Sequence, residues 1–124
     1  MRDALLVASG GAIGSVLRWW LSGLVQRAAG AGFPWGTLAV NLVGSFAIGL
    51  IGGMAAGRGL GAPAAKLFLI AGLLGGFTTF SAFSWENQAL LRDGRWLAGA
   101  AYMAGSVALG LLSAFAGAAM AVRS

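Results

Sequence analysis

Apolar residues fill four stretches of this chain, about 4–25, 35–56, 65–91 and 96–122, and polar residues gather in the short connections between them. Each stretch reaches the length of about 20 residues that a helix needs to cross the hydrocarbon core of a bilayer. The pattern predicts an all-α membrane protein, one unit over 1–124 with four transmembrane helices. The third stretch departs from the pattern near its middle, at 75–79, where Gly75-Gly76 is followed by Thr78-Thr79. Glycine weakens a helix interior and threonine favours an N-cap, so an interrupted helix with a fresh N-terminus near Thr78 or Thr79 is predicted. Irregular backbone at membrane depth is tolerated only where protein buries it or where it lines a polar cavity. The break therefore points to an ion or substrate path.

Polar positions inside the apolar stretches are the functional candidates, because each is costly in lipid. Asn41 lies in the second span with Thr37 and Ser45 at i−4 and i+4, which gives one polar face. Two readings stand for it, pore lining and hydrogen-bonded glue between helices. After the break, Phe80 and Phe83 share one helical face, and Ser81 and Ser84 share the adjacent one. An aromatic pair at this spacing is commonly core packing. Beside hydroxyls and a break, however, two electropositive ring edges also suit a small anion that has shed water. Tyr102, Ser106 and Ser113 form a weaker stripe on the fourth span, where serines also bond back to their own helix. Arg18, flanked by Trp19 and Trp20, reads either as an interfacial anchor or as a basic pore mouth. Glu86 reads either as a solvated helix-end carboxylate or as a group at one end of the path. The break has a cation reading as well: unwound carbonyls coordinate Na⁺ in broken-helix membrane proteins, and two copies meeting there would enclose one hard ion.

Composition agrees with the membrane class. Of the 124 residues, 59% are hydrophobic and 9% charged, with 22 glycines, more apolar surface than a soluble domain of this size can bury. The first span follows Arg2, as in a signal peptide, but three comparable spans follow it and a retained helix is expected. Without cysteine there is no disulfide framework, and without histidine no imidazole base or ligand. The net charge of +5 is scattered over the span ends, so it reads as membrane flanking and not as a nucleic-acid surface. With four spans both termini share a side. That side carries Arg2, Arg58, Lys66 and Arg123, offset by Asp3; the other carries Arg27, Arg92 and Arg95, offset by Asp93, with Arg18 near it. An excess so small admits insertion both ways, and hence an antiparallel, dual-topology homodimer, beside the single-topology reading. Small residues at four-residue spacing (Gly10 and Gly14; Ser45, Gly49 and Gly53; Ser106, Gly110 and Ala114; Ser113 and Gly117) predict close helix packing.

Three blocks carry a family resemblance: Gly11-Ala12-Ile13-Gly14-Ser15-Val16-Leu17-Arg18, Gly36-Thr37-Leu38-Ala39-Val40-Asn41-Leu42-Val43-Gly44-Ser45-Phe46, and Gly75-Gly76-Phe77-Thr78-Thr79-Phe80-Ser81-Ala82-Phe83-Ser84. In this order and in these spans, the chain resembles the small bacterial fluoride channels of the Fluc or CrcB type. The resemblance implies a dual-topology homodimer in the bacterial inner membrane, with two antiparallel pores exporting fluoride passively. In that setting HF enters from acidic surroundings, dissociates inside, and the trapped anion leaves through the channel. It also implies one structural, non-transported Na⁺ held by the backbone carbonyls of Gly75 and Thr78. Phe80 and Phe83 look like the phenylalanine box, Asn41 like the pore asparagine and Ser81 like part of the polar track. Glu86 and Arg18 resemble the acidic and basic residues near the pore ends. Ala82 departs from the family pattern, since a threonine hydroxyl common at that position is missing.

The alternative is a small dual-topology multidrug or cation exchanger. Such proteins use a carboxylate deep in the first span, and this chain has no acidic residue there after Asp3. An accessory membrane subunit fits only if every polar stripe is packing glue. An enzyme is disfavoured for want of histidine, cysteine or paired carboxylates.

Overall fold

The computed structural model describes residues 1–58 and 61–123, and the Arg58 side chain counted above lies outside the described residues. Among the described residues, four helical segments are long and apolar enough to cross a membrane. Span one is Arg2–Ala29, span two Trp35–Arg58 and span four Trp96–Arg123. Span three is broken into a leading half-helix, 63–77, and a trailing half-helix, Phe80–Arg92. The helices run a few residues beyond the apolar stretches because their ends are set by backbone signals, not by hydropathy. Span one continues through Gln26 and Arg27 until Gly30 adopts φ 97°, a conformation open to glycine. Pro63 opens span three at its first turn, where a missing N–H is harmless.

Within the leading half-helix, Leu67–Leu74 is wound as a π-helix, and the Gly75 N–H reaches the Ile70 carbonyl five residues back. This wide winding runs directly into the break. There Thr78 (φ −85°, ψ 155°) and Thr79 (φ −149°, ψ 116°) are extended, as predicted from the glycine pair and the two threonines.

The spans assemble as two close pairs, span one with the leading half-helix and span two with span four. Both pairs rest on small residues. Gly10 and Gly14 press on the Phe68 and Leu73 carbonyls, and Gly76 meets the Gly11 backbone. In the other pair, Gly49 abuts the Ala114 carbonyl and Gly117 the Phe46 carbonyl. A Cβ at any of these glycines would collide with main chain, which does not yield as a flexible side chain does. In lipid, where apolar surface gains nothing by leaving the solvent, such approach is how helices hold together. Gly105, by contrast, faces open space.

Gly14→Val is expected to destabilise the bundle by about 1–3 kcal/mol through overpacking. Gly105→Ala is expected to shift it by less than about 1 kcal/mol. Unfolding titrations in SDS–lipid mixtures measure both, and equal effects would contradict this packing scheme.

Candidate ion pathway

Two extended residues inside a spanning helix leave main-chain donors and acceptors without helical partners. In this protein a side chain supplies them. Asn41 Nδ2 donates to the Thr79 carbonyl (3.0 Å), and the Thr79 N–H donates to Asn41 Oδ1 (2.8 Å). The amide mimics a strand neighbour, satisfying both polar main-chain groups of Thr79. The Thr79 hydroxyl in turn accepts the Ala82 N–H (3.1 Å), an N-cap for the trailing half-helix. Thr78 Oγ1 turns back to the Leu74 carbonyl (2.9 Å).

These bonds have a consequence for the carbonyls of Gly75 and Thr78. In a continuous helix they would accept from Thr79 N–H and Ala82 N–H, four residues on. Those two donors go instead to Asn41 Oδ1 and Thr79 Oγ1. Two hard oxygen acceptors are thus released at the break, beside the positive N-terminal end of the trailing half-helix.

An open cavity of about 490 Å³ lies against the break. It brings together Asn41, Gly75, Thr78, Phe80, Phe83 and Ser106, along with Ser45 from the Asn41 face. None of its lining residues is charged: Asn41, Ser45, Thr78, Thr79 and Ser106 supply polar groups, and Phe80, Phe83 and the aliphatic Ile48, Ile70, Leu74 and Val107 supply the apolar wall. Phe80 and Phe83 are paired at 5.5 Å between centroids, tilted by 36°. Phe80 is 78% exposed although it lines the cavity. Ser106 has a buried hydroxyl with no hydrogen-bond partner.

The remaining predicted positions lie elsewhere. Ser81 Oγ sits 3.2 Å from Thr79 Oγ1, while Ser84 Oγ bonds back to the Phe80 carbonyl (3.0 Å), and both residues are exposed. Ser113, half-buried on span four, is absent from the lining of this cavity. Ala82 contributes its N–H to the cap.

Thr37, Glu86 and Tyr102 converge on one another. Thr37 Oγ1 donates to Glu86 Oε1 (2.6 Å) and Tyr102 OH to Glu86 Oε2 (2.7 Å). The carboxylate is therefore clamped by two hydroxyls from spans two and four, not free at a helix end. Thr37 and Glu86 also line a second cavity of about 320 Å³ together with Trp19, Trp20, Gln26 and Arg27. Arg18 is absent from the lining of both cavities. A run of ring contacts joins the two regions: Phe83 meets Tyr102 edge-on at 5.0 Å, and Tyr102 meets Phe33 edge-on at 5.3 Å.

Three residues of this region escape sequence reasoning. Gln26 was not singled out, yet it bonds to backbone groups of Gly30 and Phe33 in the following turn and of Gly36 at the start of span two. Phe33 reads as a loop residue. Asn87, also not singled out, is buried, with Nδ2 donating to the Phe83 carbonyl (3.0 Å) and Oδ1 without a hydrogen-bond partner among the described residues. The one signal available for Gln26 was its spacing, four residues before a glycine that ends the helix.

The family model described as CrcB-like protein, Camphor Resistance (CrcB), matches residues 5–118. A protein of Rhizobium meliloti (strain 1021) named fluoride-specific ion channel FluC is 48% identical over 120 residues, covering 97% of this chain and 96% of the relative. A relative of the same name in Rhizobium etli is 50% identical, with 94% of each chain covered. Another, in Thermus thermophilus, is 52% identical over 94% of this chain and 93% of its own. These relatives are named as ion channels, not as enzymes.

Replacing Asn41 with Leu strips both partners from Thr79 and leaves a main-chain donor and acceptor bare. The expected cost is roughly 1–3 kcal/mol at the break. Hydrogen exchange in lipid nanodiscs reports it: the Thr79 amide loses protection by about tenfold or more, while amides in the middle of span two keep theirs. Unchanged protection at Thr79 would contradict the pairing.

Proposed function

The chain belongs to the CrcB-like family, and from that premise we propose that it is a fluoride-specific channel. It exports fluoride passively across the bacterial inner membrane. The observation that carries this reading is the uncharged cavity at the helix break, where Asn41, Ser106 and the Phe80–Phe83 pair face one space. Fluoride is small and tightly hydrated, so burying it without compensation would cost on the order of tens of kcal/mol. Amide and hydroxyl donors and electropositive ring edges replace part of that shell without a fixed cation that would hold the ion too tightly. Such groups suit an anion that must also leave. The clamped Glu86, with Thr37 and Tyr102, stands at the far end of this route. There the second cavity, lined by Arg27, forms the mouth.

A second copy of the chain, inserted in the opposite sense, completes the path. Three observations support this: the near-even Lys/Arg count on the two sides, the exposure of Phe80, and the open side of the cavity. Two breaks then face one another, and two antiparallel pores result. The freed Gly75 and Thr78 carbonyls fit a hard monovalent cation, since an all-oxygen neutral donor set suits Na⁺. In this role the ion is structural: it supplies positive charge that offsets the carbonyl dipoles brought together at the dimer centre. The cation exchanger alternative lacks a carboxylate in span one after Asp3, in the first turn, and is not favoured by any feature of the cavity.

In liposomes loaded with potassium fluoride, the purified chain is expected to release fluoride rapidly to an external electrode, and potassium chloride vesicles to release almost no chloride. Comparable fluxes of both ions, or none of either, would refute the proposal. Exhaustive replacement of Na⁺ on both faces is expected to abolish the fluoride flux slowly, and undiminished flux would remove the structural ion.

A further inference from the structure

We propose that Gln26 is the positioning residue for Glu86, acting on its two carboxylate oxygens by two separate routes. Both donors of the Gln26 amide are engaged: Nε2 donates to the Gly30 carbonyl and to the Phe33 carbonyl (2.9 Å). Its Oε1 accepts the Gly36 N–H (3.1 Å). One side chain thereby fixes the end of span one, the turn after it and the start of span two.

The first route runs through Gly36. That residue is held from two sides, by Gln26 Oε1 and by the Ser22 backbone, which leaves no room for a Cβ. Thr37 follows at once, and its hydroxyl donates to Glu86 Oε1. The second route runs through Phe33. With its carbonyl held by Gln26, the Phe33 ring lies edge-on to Tyr102 at 5.3 Å and 70°, and the Tyr102 hydroxyl donates to Glu86 Oε2. Tyr102 is 1% exposed and its ring is packed by Phe33 and Phe83, so it has little freedom to follow Glu86 by itself. Gln26, Gly36, Thr37 and Glu86 also wall the same cavity. A clip that merely closed the turn would not converge on both oxygens of one carboxylate.

This inference rests on the channel reading for its effect on flux, but not for its effect on Glu86. Glu86 is the only glutamate in the chain, so glutamate labelled with ¹³C at the side-chain carboxyl yields one carboxyl resonance in lipid nanodiscs. Gln26→Met keeps the side-chain length and removes all three hydrogen bonds. The Glu86 resonance is expected to move or broaden, and fluoride efflux to fall roughly tenfold. In a Glu86→Gln background, Gln26→Met is expected to cost no further flux, because both changes act on one unit.

A Glu86 resonance unchanged by Gln26→Met, or losses that multiply in the double variant, would overturn the inference. If the wild-type chain passes no fluoride, the channel reading fails while the resonance still decides the role of Gln26. Should Gln26→Met not fold, Phe33→Leu takes its place, since it cuts the ring route alone. The carboxyl resonance is expected to move there too, and an unchanged position would overturn the proposal.

Discussion

Backbone opened inside a membrane must find polar partners within the protein, and here the Asn41 amide meets that demand by pairing with both the N–H and the C=O of Thr79. Everything at the centre of the molecule depends on this exchange. Because Asn41 takes the Thr79 N–H, the Gly75 carbonyl is released. Because Thr79 takes the Ala82 N–H, the Thr78 carbonyl is released and the trailing half-helix starts at Phe80 with Thr79 as its N-cap. That start fixes the rotation of the half-helix and so directs Phe80 and Phe83 toward the cavity. An asparagine suits this position because it carries a donor and an acceptor on one rigid plane, without charge. A carboxylate would keep the acceptor only and set its charge against the Thr79 carbonyl.

The glycines give the break its surroundings. Gly10, Gly14 and Gly76 let span one lie directly on the leading half-helix, and Gly49 and Gly117 lock spans two and four. Gly44 leaves the space that the Thr78 methyl fills, so the extended residues are packed as well as hydrogen-bonded. The rigid pairs then frame a trailing half-helix with fewer neighbours, tied at its far end through Glu86 to Thr37 and Tyr102. Anion selectivity of the proposed kind needs such stiffness: dipoles that could swing would solvate a larger ion as readily as a small one.

Sequence carried the four spans, the break and its capping threonine, because each follows from local chemistry: apolar length, paired glycines and a hydroxyl before a new helix. The small-residue contacts were legible for the same reason. What the sequence did not carry was partnership across spans. Thr37, Asn41 and Ser45 share a helical face, yet Thr37 serves Glu86 while Asn41 serves Thr79. Asn41 read as pore or glue, and the structure gives it a place in the cavity wall and a pair of bonds to the break. Glu86 stayed open between a solvated helix end and one end of the path because nothing local marks its two hydroxyl donors, which lie 49 and 16 positions away in the chain. Gln26 was hidden because its partners, the Phe33 carbonyl and the Gly36 N–H, are main-chain groups that no side-chain pattern marks.

In the proposed channel the uncharged route at the helix break, with polar groups set in an apolar wall, passes fluoride and rejects its larger relative. A bi-ionic reversal potential in a planar bilayer, with fluoride on one side and chloride on the other, tests it most directly. The account predicts a reversal potential set by fluoride alone and insensitive to chloride concentration. A potential near zero, or one that follows the chloride gradient, would contradict it.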